Sequence, residues 1–164
     1  MNQGHSLIAK RIPSACAAAL ILYVLAVTTT LAADPAGLWY AEGGAAQVRI
    51  DKCGNELCGR VVWLRSPFDE EGCELRDGHN PDPSLRERSV VGLQVLSGLE
   101  PSSADGRTWS GGAIYDPANG STYRCSAQLE GNDRLRIRGY IGIPLLGRTT
   151  TWIRVGSEGR MCRR

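Results

Sequence analysis

The stretch C-G-N-E-L-C-G-R-V-V-W-L, residues 53–64, decides the fold. Its two cysteines admit three readings: half of a metal site, a redox couple, or a covalent staple. A structural zinc site wants four ligands, and beyond residue 33 the chain holds one histidine, His79. Redox pairs usually enclose two residues and precede a helix. Here four residues intervene, and the sequence after Cys58 reads as a strand. The staple is favoured, a disulfide from Cys53 to Cys58 clipping a hairpin. One arm of that hairpin is Q-V-R-I-D, residues 47–51, which alternates apolar and polar side chains; the other is residues 57–64.

A staple of that kind belongs to an oxidising compartment, and the N-terminus points to one. Lys10 and Arg11 precede an apolar run over residues 15–27, and small residues lead to Ala32 and Ala33, the three-part pattern of a secretory signal peptide. The run, about thirteen residues, falls short of the roughly twenty that a spanning helix needs. Residues 1–33 are therefore read as a cleaved signal peptide and residues 34–164 as one domain, exported to a bacterial periplasm or beyond with no stable membrane span after cleavage. Of the 164 residues 131 remain, enough for one sizeable core. Removing Lys10 and Arg11 from the 19 basic residues leaves 17 against 17 acidic ones. Nucleic-acid binders are usually lopsided in charge, so no nucleic-acid partner is expected.

Further strand-like segments extend the hairpin in both directions. Trp39-Tyr40 precedes it, and residues 90–96, 108–115, 122–129, 134–141 and 148–155 follow, separated by turn signals such as S-G-L-E-P-S-S-A-D-G, D-P-A-N-G and E-G-N-D. Period two is clearest in R-L-R-I-R-G-Y, where Leu135, Ile137 and Gly139 share one face and three arginines the other. Eight strands with mostly short links make an all-β domain, either an antiparallel up-and-down barrel or a two-sheet sandwich.

The blocks G-L-W, C-G-N-E-L-C-G-R-V-V-W-L, R-D-G-H-N-P-D-P-S-L-R-E-R, G-G-A-I-Y-D-P-A-N-G-S-T-Y and G-Y-I-G-I-P-L-L-G-R-T-T-T-W-I-R-V, in that order, resemble the bacterial family named domain of unknown function 2147. That resemblance implies export and a lipocalin-like, or calycin, eight-stranded barrel, to which the long link over residues 66–89 adds one long lid loop; it implies no reaction. Lipocalin-like barrels place a tryptophan on the first strand and an arginine on the last, which here implies a closing pair of Trp39 and Arg154. Up-and-down order gathers the links after strands one, three, five and seven at the opposite end. Among them is the lid, residues 66–89, with Asp77, Asn80 and Arg88 as its anchoring residues and a helical turn or two capped by Asp82 and Pro83. The same order brings Cys73 near the strand of Cys125, favouring that pair and leaving Cys162 in the tail.

Catalysis needs converging groups, and none stand out. His79 is a lone neutral-pH base, Ser84 and Ser89 carry no mark of activation, and the acidic run Asp69, Glu70, Glu71 and Glu74 reads as a solvated face. The expectation is no enzyme, no catalytic residue, no metal and no cofactor. The leading reading is a barrel for a small hydrophobic or amphipathic ligand, with Trp63, Trp109, Tyr115 and Tyr123 as inward candidates and Arg138 or Arg124 meeting an acidic head group. The alternative is a filled barrel that acts through its surface as an envelope interaction module. The apolar loop bounded by Gly142 and Gly147 admits three roles: packing under the long segment, touching a ligand, or meeting a partner, either an envelope protein or a second copy in a homodimer.

Overall fold

The computed structural model describes residues 34–156; residues 1–33, read above as a signal peptide, and Cys162 lie outside the described residues. Eight strands follow in chain order: β1 (Gly37–Tyr40), β2 (Ala46–Cys53), β3 (Glu56–Leu64), β4 (Gln94–Pro101), β5 (Thr108–Asp116), β6 (Ser121–Glu130), β7 (Arg134–Tyr140) and β8 (Arg148–Arg154). Each is antiparallel to its sequence neighbours. The pairs Trp39↔Arg154 and Tyr40↔Ile153 join β1 to β8, so the sheet closes into a barrel and the sandwich is excluded. Closure removes the unpaired edges that an open sheet would expose.

The hairpin of β2 and β3 carries the Cys53–Cys58 disulfide. Cys73 and Cys125 do not pair, contrary to the order-based expectation. Cys125 is completely buried in the inward row of β6 with Ala127 and Leu129, whereas Cys73 is exposed in the long link. Burial without a charged neighbour pushes the Cys125 thiol up to about 12.

Side chains fill the barrel unevenly. Ile50, Leu57, Leu99, Trp109, Leu129 and Leu135 are buried and pack the end where Trp39 sits. The Arg154 guanidinium lies 4.2 Å from the centroid of the Trp39 ring. Toward the other end several inward positions are small, Val48, Val61 and Gly139 among them, and Ala41, Ala45 and Ala46 line the space where the chain turns from β1 into β2. Dense packing below and these small residues above leave a barrel closed at one end and hollow at the other.

Candidate functional site

The hollow is an open cavity of about 840 Å³. Its walls are aliphatic and aromatic, formed by Val48, Val61, Val95, Ile114, Ile137 and Trp152 among others. Only three lining residues are charged, Glu42, Asp116 and Arg148, and all stand at loop ends on the rim. Arg148 donates to Glu42 at 2.8 Å, and Asn119 donates through its side-chain amide to the Tyr123 hydroxyl at 3.1 Å. The geometry suits a molecule with an apolar body and a polar end: burial rewards the body, and the rim offers charge and hydrogen bonds to the end.

The sequence candidates divide. Tyr115 and Tyr123 line the cavity. Trp109 is buried in the packed end and does not reach it. Trp63 faces outward at 41% exposure, edge-on to Tyr40 with ring centroids 6.3 Å apart. A bulge causes this: Gln47 pairs with Trp63 but Val48 pairs with Val61, so Val62 is the extra residue, and Leu64 takes the inward place that alternation had assigned to Trp63. Arg124 and Arg138 share the outward row of their strands, opposite Cys125 and Ile137, so neither reaches a cavity-bound head group. The rim arginine is Arg148, which the sequence reading did not single out.

The long link between β3 and β4 is a strap beside the mouth. Of residues 66–90 only Val90 reaches the cavity lining. Two antiparallel bridges, Phe68↔Glu74 and Arg76↔Ser89, fold it on itself, and Pro83–Leu85 forms a 3-10 turn whose start is capped where the Asp82 carboxylate accepts from the Ser84 amide. The anchor is Asp77, completely buried. One carboxylate oxygen accepts from the Tyr115 hydroxyl at 2.5 Å; the other accepts from the Asn80 amide at 2.7 Å and from the Arg88 guanidinium at 2.9 and 2.7 Å. Burial pushes the carboxyl pKa up, but the bonds from Tyr115, Asn80 and Arg88 and the charge of Arg88 together hold it below its ordinary value. Tyr115 thus spans two structures, its ring in the cavity wall and its hydroxyl on the strap.

The β5–β6 turn meets the strap from the other side. Gly120 has φ of +68°, and a Cβ there would come within 1.9 Å of the His79 carbonyl oxygen. Gly120→Ala is expected to cost about 2 kcal/mol, from the left-handed backbone and the forced separation of turn and strap. A thermal melt together with amide exchange over residues 77–82 checks this; unchanged exchange would mean that the contact does not hold the strap.

His79 is exposed, the Ser84 hydroxyl donates to Asp82 and the Ser89 hydroxyl to Glu74. Asp69, Glu70, Glu71 and Glu74 are all exposed, and no group of three or more histidine, cysteine or acidic side chains is placed to share a metal ion among the described residues. The loop after β7 does not pack under the strap. Ile141, Ile143, Leu145 and Leu146 are 73, 55, 81 and 77% exposed.

Comparison with known proteins agrees with this architecture. Residues 37–154 match the model of a family described as uncharacterized proteins conserved in bacteria, DUF2147. Among solved structures the chain is similar to protein HP1028 from the human pathogen Helicobacter pylori, which belongs to the lipocalin family. The TM-score is 0.64 and the identity 24%, over 76% of this chain and 85% of that one. At that identity the likeness shows the fold alone. No curated protein matches.

Proposed function

The chain belongs to the DUF2147 family of uncharacterized bacterial proteins, and from that premise we propose that it is an exported barrel that binds a small hydrophobic or amphipathic molecule and is not a catalyst. The observation that carries this is the apolar cavity of about 840 Å³ at the open end, within the size range of small-molecule sites. Eight-stranded barrels are wide enough either to be filled by side chains or to hold one small ligand. A barrel filled throughout, acting only through its surface, would leave no such space. The disulfide across β2 and β3 and the signal-type N-terminus support a location outside the cytoplasm. The molecule enters apolar end first, and its polar end stays at the rim beside Arg148, Glu42 and Asn119.

Titration with dansylated undecanoic acid, followed by the rise in dansyl fluorescence, tests this reading. Val61→Trp and Ile137→Trp each place an indole in the cavity and are expected to weaken binding about tenfold or more, because the displaced apolar contact has no substitute elsewhere on the surface. Native mass spectrometry of the protein purified from its own periplasm is expected to show added mass that denaturation removes. A probe that does not bind the wild type, or that binds wild type and both variants alike, would sink the proposal.

A further inference from the structure

The ligand reading does not account for the exposure of the apolar loop at the rim: three of its side chains, Ile141, Leu145 and Leu146, are the most exposed large hydrophobics among the described residues. Such a concentration on one short loop marks a surface that meets something. We propose that residues 141–146 seat the mouth of the barrel on a phospholipid surface, with the aliphatic tip at the boundary between head groups and acyl chains.

Three features of the loop fit lipid. First, the carbonyls of its tip are satisfied without water, which matters in a medium where unpaired polar groups are costly. Residues Pro144–Leu146 form a 3-10 turn. The Ile143 carbonyl accepts from the Leu146 amide, and the Pro144 carbonyl accepts from the Gly147 amide. From beneath, the Arg138 guanidinium donates to the Pro144 carbonyl at 2.7 Å, to the Leu145 carbonyl at 3.3 Å and to the Thr149 hydroxyl at 2.8 Å. Three successive carbonyls are therefore satisfied while the side chains point into solvent, and Pro144 brings no N–H to satisfy.

Second, the base of the loop is basic. Arg138 lies under the tip, the Arg148 side chain is 80% exposed, and Arg124 is exposed opposite Tyr140 on the neighbouring strand. Two carboxylates stand on the same rim, Glu42, paired with Arg148, and Asp116, so the arginines outnumber them three to two. Phosphate head groups complement this arrangement, and anionic lipids do so best. Third, the tip is continuous with the mouth: Ile141, Leu146 and Arg148 also line the cavity rim. A tip resting on a bilayer would hold the opening at the level of the lipids.

A protein partner fits less well. Stable protein interfaces cover roughly 800 Å² on each side and rely on aromatic and arginine anchors. This tip is one short loop, wholly aliphatic, with its arginine turned back onto its own carbonyls. The proposal stands whether or not the cavity is occupied.

The test is flotation of the exported protein, produced from the full chain, with vesicles of phosphatidylethanolamine and phosphatidylglycerol, alongside vesicles of phosphatidylcholine alone. Wild type is expected to float with the anionic vesicles, less with phosphatidylcholine, and less again in high salt. Ile143→Asp and Leu145→Asp, both outside the cavity lining, are each expected to reduce the bound fraction about tenfold. Binding of dansylated undecanoic acid should stay unchanged in both, so failure here is distinguishable from failure of the ligand reading. Wild type that stays at the bottom of the gradient, or variants that float equally well, would overturn the proposal. So would a dimer in sedimentation that Leu145→Asp breaks, since the tip would then belong to a second copy.

Discussion

Trp39→Ala is expected to destabilise the barrel by about 4 kcal/mol, lowering the midpoint of thermal unfolding by about 15 °C for a domain of this size. Trp39 is completely buried where β1 meets β8, and its indole N–H donates to the Pro35 carbonyl at 2.9 Å. Above the ring lies Arg154, whose guanidinium also donates to the carbonyls of Asn132, Ala36 and Asp34 at 2.6, 2.7 and 2.8 Å. Removing the indole opens a cavity at the packed end, leaves the Pro35 carbonyl without its donor and takes away the face on which Arg154 rests. Trp39→Phe separates these effects, because it keeps much of the apolar volume while losing the N–H and part of the cation–π attraction. It is expected to cost about 1–2 kcal/mol. Urea titration reads both variants. A loss below about 1 kcal/mol for Trp39→Ala would show that the closed end does not depend on this residue.

How far such features were legible depends on the distance over which they are encoded. The period of R-L-R-I-R-G-Y placed Leu135 and Ile137 inside and its arginines outside, because alternation is a local property. The clip from Cys53 to Cys58 was legible for the same reason. The fourth strand was not. V-V-G-L reads as its beginning, but Val90 and Leu93 are buried from the loop before it, with Val61 and Leu93 bonded through the backbone where the chain enters β4. The strand itself runs on through S-G-L-E-P, which reads as a turn. Gly98 makes this possible: its φ of +67° is a bulge conformation that few other residues adopt, so a turn signal in the sequence is a bend within a strand.

The site was less legible than the scaffold. One bulge at Val62 exchanged Trp63 for Leu64 at the cavity wall, and sequence alternation holds no record of an inserted residue. The outward parity of Arg124 and Arg138 depends on the register of whole strands, and the rim position of Arg148 on which loop ends meet. A usable signal did exist in A-E-G-G-A-A, residues 41–46, and in the valines of β2 and β3. Small inward residues at one end of a barrel imply space there. Asp77 was assigned to the strap, but its partner Tyr115 is 38 positions away, and only the closed barrel brings them together.

Asp77→Asn therefore tests the contact that sequence could not supply, and it is expected to cost about 3 kcal/mol, lost first from the strap. The carboxylate is completely buried and accepts four hydrogen bonds, two of them from the Arg88 guanidinium, itself 41% exposed. An amide of the same shape removes the charge and turns one acceptor into a donor facing Arg88 and Asn80. Breaking a buried pair from one side costs about 3–5 kcal/mol, and the partial exposure of Arg88 puts this case at the lower end. The loss is local, since the network joins residues 77–88 to Tyr115 and does not reach Trp39 at the other end of the barrel. Amide exchange over residues 66–89 should quicken at neutral pH while the strands keep their protection. The pH dependence carries the sign. Asp77 has a folded-state pKa below its ordinary 3.8, so the folded strap binds fewer protons than the open one. Its contribution is fully present above about pH 4 and is lost as the pH falls from there through the lowered folded value. Wild-type strap protection should fall across that acid range, and in Asp77→Asn that part of the fall should be missing because the stabilisation is already absent at pH 7. An acid profile of the strap that is the same in both proteins would place the anchor elsewhere, in Gly120 against His79 or in the capped turn at Asp82. The cavity wall would then owe nothing to Asp77, although Tyr115 belongs to both.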